Sequence, residues 1–68
     1  MQLTAVLMHA GEGGFIALNP ETGTTTQGDT LDEAVQNLQE ATAPYLEEFG
    51  LVPQEAPIVA TFTIPASA

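Results

Sequence analysis

The 68-residue sequence contains no lysine and no arginine. Nine aspartates and glutamates face only the α-amino group and His9 as possible cations, and the formal net charge is −9. Proteins hold nucleic-acid backbones with cationic side chains that neutralise phosphates and release counterions. This chain is therefore not expected to bind DNA or RNA by itself, and anionic membrane surfaces are disfavoured for the same reason. The balance favours a basic protein partner, because complementary charge accelerates association. The plainer function of such charge, keeping a small protein soluble, stands beside it.

Cysteine is also missing, so disulfides, thiolate metal sites and a cysteine nucleophile are excluded. No apolar run approaches the roughly 20 residues needed to span a bilayer. The N-terminus lacks the positive region of a secretory signal, and a cytoplasmic protein is expected. Residues 1–68 make one small domain. A chain of this size hides only about 60% of its unfolded surface when it folds alone, so self-association is expected as well.

The residues that are present predict three strands, a helix and a fourth strand. Leu3 to Ala10 is apolar and partly β-branched and is stopped by Gly11-Glu-Gly-Gly14, a strand followed by a tight turn. Phe15 to Leu18 is the second strand, ended by Asn19-Pro20, with a turn at Glu21-Thr-Gly23. Thr24 to Gln27 is β-branched but polar, which suits a sheet edge. Thr30-Leu-Asp-Glu33 reads as a capping box: the Thr30 hydroxyl accepts from the N–H of Glu33, and the Glu33 carboxylate returns to the N–H of Thr30.

A helix follows to about Phe49, with Leu31, Ala34, Val35, Leu38, Ala41, Thr42, Tyr45 and Phe49 on one stripe and Gly50 as its stop. Pro44 removes a hydrogen bond to the carbonyl of Glu40, so a kink or a break is expected there. Val52 to Pro57 is an extended connection, since each proline biases its predecessor away from helix. Ile58 to Ile64 has strand composition, and Pro65 to Ala68 is a tail. The expected class is α+β: a three-stranded antiparallel meander, one helix and a fourth strand, in the order β-β-β-α-β.

Both faces of the first two strands are apolar. Leu3, Ala5 and Leu7 oppose Val6 and Met8, while Ile16 and Leu18 oppose Phe15 and Ala17. One helix covers one face. Val6, Met8, Ile16 and Leu18 are accordingly the candidate oligomer interface, on a face that needs solvent or another chain.

Candidates for chemistry are few. Asp29, Asp32 and Glu33 lie close together, but capping and the positive end of the helix dipole account for them. A metal-dependent hydrolase needs carboxylates converging from several elements. His9, the sole histidine, reads as a surface residue at a strand end, with Glu12 the nearest acid in sequence. Gly11 to Gly14 leads into a strand and no lysine follows, whereas phosphate loops lead into a helix and use one. No catalytic, cofactor or metal residues are assigned, and an enzyme is not expected.

One run carries more information than the rest. Thr26-Gln-Gly-Asp-Thr30, with Glu33-Ala, Asn37-Leu, Glu40-Ala and Tyr45-Leu-Glu-Glu48, follows Gly14-Phe-Ile-Ala17 and Pro20-Glu21. This pattern resembles the N-terminal domain of HicB-type antitoxins and covers about Gly13 to Glu48. Pro57 to Ile64 is similar to the last strand of short members. The resemblance implies a partial ribonuclease-H-like fold without the ancestral nuclease chemistry, since the first strand bears no acid. It also implies neutralisation of a basic HicA-type toxin, an mRNA-cleaving protein whose RNA-binding surface an acidic protein would mask.

Glu12, Glu21, Asp29 and Asp32 are the candidate acids for that contact. The sequence departs from the family in three places. No helix-turn-helix or ribbon-helix-helix DNA-binding domain follows the last strand, Gln39 stands where many members have lysine, and Pro44 interrupts the helix. The alternative function is a stand-alone, self-associating structural or adaptor domain with no toxin partner.

Overall fold

The computed structural model describes residues 1–50 and 56–66. Three strands, β1 (Val6–His9), β2 (Phe15–Asn19) and β3 (Thr24–Gly28), form an antiparallel sheet in the order β1-β2-β3, and a single helix, α1 (Leu31–Phe49), packs on it. The α+β class and the three-stranded meander expected from the sequence are therefore present.

The strand limits follow from the hydrogen-bonding chemistry of the turns. β1 begins at Val6, not at Leu3. Val6 pairs with Leu18, so Thr4 falls opposite Pro20, which has no N–H to continue the ladder. The Thr4 N–H turns instead to the carboxylate of Glu21, 3.0 Å from Oε1. At the other end of the hairpin, Ala10 N–H donates to Gly14 O at 3.1 Å and Gly13 N–H to Ala10 O at 3.3 Å. Gly14 adopts φ 78°, and a Cβ there would stand 2.7 Å from Gly28 O. Only glycine meets both conditions.

The alternation of β2 decides which sheet face is covered. Ala17 and Asn19 are buried, and Ala17 joins Ala34 and Leu38 in the core with Phe15 packed against them. Ile16 and Leu18 point the other way. The helix lies over β3 and β2. Gly28 makes that approach possible: a Cβ on it would stand 2.8 Å from Ala34 Cα.

The helix is longer than its support. Nineteen residues span about 28 Å at 1.5 Å each, whereas a five-residue strand spans about 17 Å. Its stripe is buried at Ala34, Leu38 and Thr42 but exposed at Leu31, Tyr45 and Phe49.

Of the two outcomes expected at Pro44, a kink one turn earlier or a break, the break does not occur. One helix runs from Leu31 to Phe49, with Pro44 exposed inside it. Proline leaves the Glu40 carbonyl without its usual donor, but Glu40 is exposed, so water can replace that donor. The helix ends at Gly50, with φ 66° and its N–H donating to Leu46 O at 2.9 Å.

The expected fourth strand is not shown among the described residues. Residues 56–66 contain no strand and are exposed throughout. Among the described residues the order is β-β-β-α. Strand composition alone does not make a strand, because its N–H and C=O groups must find a ladder. Residues 52–55 of the expected Val52–Pro57 connection, and Ser67 and Ala68 of the tail, lie outside the described residues.

The accessible surface is 5490 Å². A compact monomer of 7.1 kDa is expected to expose about 4,100 Å². The radius of gyration, 14.4 Å, likewise exceeds the roughly 11 Å of a compact chain of this length.

Candidate functional site

Most of the motif between Thr26 and Asn37 fastens the helix to the sheet. Thr26 Oγ1 donates to Ala34 O at 3.0 Å, tying β3 to the first turns of α1. Asn37 Nδ2 donates to Gln27 O at 2.7 Å, one residue along β3 and one helical turn further on. Gly28 lets the two backbones meet. Thr30 is the N-cap, in extended conformation, and its Oγ1 accepts from Glu33 N at 3.1 Å.

The other half of the expected capping box, a bond from Thr30 N–H to the Glu33 carboxylate, is not formed among the described residues. Glu33 is exposed, and water competes for its carboxylate. Further along, Thr42 is buried and its hydroxyl donates back to Leu38 O at 2.8 Å, which satisfies a polar group on the packed face.

A second polar cluster sits at the β2–β3 turn, around a residue the sequence marked only as a strand end. Asn19 is 1% exposed, the largest fully buried side chain among the described residues. Its Nδ2 donates to Thr4 O at 2.8 Å and to Glu21 Oε1 at 2.7 Å. Its Oδ1 accepts from Thr22 N at 2.9 Å and from the Thr22 hydroxyl at 2.6 Å. Thr22 and Thr24 hydroxyls lie 2.7 Å apart.

Glu21 closes the cluster by accepting from the backbone N–H of Thr4 and, at 2.9 Å, from the Thr4 hydroxyl. These bonds hold its carboxyl below the ordinary carboxylate range: the Thr4 backbone bond lowers it most, partial burial opposes, and the Thr4 and Asn19 side chains lower it further. The Asn-Pro-Glu-x-Gly run at 19–23 is the local signal. Asparagine side chains commonly bond backbone a few residues on and so organise turns.

The candidate partner-binding acids thus divide. Glu21 is engaged within the fold at the β2–β3 turn. Glu12 is exposed in the β1–β2 turn, and Asp29 and Asp32 are exposed at the entrance of α1. Phe15 pairs with Gly28, so Asp29 follows β3 at the same end of the sheet as Glu12. Glu33 lies there too. An open depression of about 220 Å³ at this end is lined in part by Phe15, Gly28, Asp29 and Glu33. His9 is at this end, exposed, with its ring stacked on Phe15 at 5.1 Å between centroids. The hydroxyls of Thr24 and Thr26 are taken up by hydrogen bonds within the fold.

The four candidate interface residues come together as two cross-strand pairs, Val6 with Leu18 and Met8 with Ile16. By alternation they occupy the sheet face away from α1, where Met8 is exposed and the other three are half-buried. Among the described residues, no three Asp, Glu or His side chains converge as they would to hold a metal ion, and no helix is long and apolar enough to cross a membrane. Comparison with protein-family models, curated proteins and solved structures finds no match.

Proposed function

We propose that this chain is an antitoxin-like binding module that neutralises a basic HicA-type, mRNA-cleaving toxin by covering its RNA-binding surface. The observation that carries the proposal is the acidic end of the sheet. Glu12, Asp29 and Asp32 are exposed together there, on a chain with no lysine or arginine to offset them. A surface built to hold phosphates is cationic, and three exposed carboxylates at one end of the sheet are complementary to it.

Asp32 and Glu33 also sit on the first turn of α1, where the helix dipole favours acid. They reach this end without disrupting the fold. The HicB-like motif supports the same proposal by defining the scaffold that holds the acids in place. In the same proposal the role is binding, not catalysis.

In the same proposal Ile58–Ile64 is the fourth strand, which completes a β-β-β-α-β sheet of partial ribonuclease-H-like type once an edge is available to it. The chain binds no nucleic acid directly and works in the cytoplasm. The test is co-expression with any small basic protein encoded beside it, followed by co-purification and an RNA-cleavage assay. Stable capture with loss of cleavage is the expected result. The double substitution Glu12→Gln, Asp29→Asn should weaken capture more than Glu21→Gln does. Capture that ignores all three, or a neighbouring basic protein that fails to bind, would remove the proposal.

The alternative role, a self-associating structural or adaptor domain, draws on a different observation. The large apolar residues Val6, Met8, Ile16 and Leu18 share one face that α1 does not reach. Sedimentation equilibrium over a wide concentration range tests it. Met8→Asp should dissociate an assembly made through this face and leave the helical content unchanged.

A further inference from the structure

Residues 56–66 combine strand chemistry with the absence of a ladder. Ile58 is 95% exposed, Phe62 85%, Ile64 77% and Val59 64%. In extended conformation Ile58, Ala60, Phe62 and Ile64 share one side, and Val59, Thr61 and Thr63 share the other. Pro57 and Pro65 bracket the run, and no proline lies between them, so every residue from Ile58 to Ile64 keeps its backbone N–H. Apolar surface of this extent is unusual on a small monomer in water.

The sheet has an edge of matching character. β1 is hydrogen-bonded only to β2, so its outer edge is free. Leu7 and Met8, adjacent on β1 and therefore on opposite faces, are both exposed. The other free edge, β3, reads Thr-Thr-Thr-Gln-Gly. An apolar, β-branched strand pairs better with Val-Leu-Met-His than with that polar edge.

We propose that Pro57–Ile64 is exchanged between two copies of this chain, each copy's segment adding to the β1 edge of the other as a fourth strand. Addition of an extended segment to an open edge satisfies both sets of backbone groups, and reciprocal exchange of one element is a low-cost route to a dimer. The segment does not close on its own sheet. Pro57 fixes its own φ and biases Ala56 towards extended backbone at the start of the segment.

The areas agree. Each copy exposes 5490 Å², about 1,400 Å² more than a compact chain of its mass. Reciprocal exchange would hide surface on that scale, and stable interfaces bury about 800 Å² per partner. The exchange rests on the fourth-strand proposal above and is independent of toxin binding.

The test uses the full chain. Isotopically labelled and unlabelled protein are unfolded together, refolded, and examined by isotope-filtered nuclear Overhauser spectroscopy. The expected result is contact between the β1 protons of one copy and Ile58–Ile64 of the other. Contacts confined to one copy would keep the fourth strand and overturn the exchange. No contact between these segments would overturn both.

Sedimentation equilibrium on Phe62→Asp gives a second readout. It should raise the dimer dissociation constant on the order of 100-fold or more, because one aromatic side chain is lost from each of two sites. The helical far-UV signal should be retained, since Phe62 is outside the core of a single copy. An unaltered dissociation constant would also overturn the exchange.

Discussion

The stretch from Phe15 to Thr42 and the stretch from Tyr45 to Pro65 differ in how their residues find partners. In the first, the inward polar groups are paired at 2.6–3.3 Å and the apolar residues Ala17, Ala34 and Leu38 close a small core. In the second, Tyr45 and Phe49 stack on each other at 4.9 Å and otherwise stand in the open. Phe49 is 65% exposed, and the aliphatic residues of 58–64 are more so than any in the sheet.

Hydrophobicity does not separate the two stretches; both are rich in it. They differ in whether one copy of the chain supplies the second surface. The first is a self-sufficient clamp of helix on β3. The second has binding surface to spare among its described residues, and this is why strand exchange is proposed for it.

The largest effect should come from closing the gap at Gly28. Gly28→Val places side-chain atoms against the backbone of Ala34, so the helix must lift. A loss of several kcal/mol is expected, read by urea denaturation, and a variant within 1 kcal/mol of the parent would mean the clamp is loose. Next, Asn19→Ala removes the group that joins Thr4, Glu21 and Thr22. It leaves buried donors and acceptors unpaired, at about 2–3 kcal/mol, and amide exchange at Thr22 should quicken.

Thr30→Ala, which deletes the N-cap bond, should cost about 1 kcal/mol. At the small end, Phe49→Ser should change the stability of an isolated copy by no more than about 0.5 kcal/mol, because Phe49 is largely exposed. A larger loss at dilute concentration would show that the second stretch belongs to the core after all.

Glu21 adds a pH dependence to the first stretch. Its carboxyl is held below the ordinary 4.5 in the folded chain and returns to the ordinary range on unfolding. Its contribution to stability is therefore present above about pH 4.5 and is lost as the pH falls through the folded value. Glu21→Gln should lower the melting temperature at pH 6 more than at pH 3. An equal loss at both would mean the carboxylate charge is irrelevant and only the bond geometry counts.

The local signals were the legible ones. The helix start at Thr30 and stop at Gly50, the hairpin at Gly11–Gly14 and the strand identities follow from capping, positive φ and alternation, all short-range effects written in adjacent residues. The two strand faces were legible as well: Val6, Met8, Ile16 and Leu18 share one face because side chains alternate along any strand. Asn19 was not, because its role depends on Thr4, fifteen residues away in sequence. The acids could not be sorted from the sequence either, since Glu21 differs from Glu12 only in what the folded chain brings beside it.

By itself, then, the sequence determined the class of the fold, the net charge of −9, and the positions of turns and caps. The tertiary structure decided three further things. Glu21 serves the fold while Glu12, Asp29 and Asp32 face solvent. The helix runs through Pro44, at an exposed position. The pattern at Ile58–Ile64 remains without a ladder in a single copy. All three turn on which groups meet across long sequence separations, and neither periodicity nor composition encodes that directly.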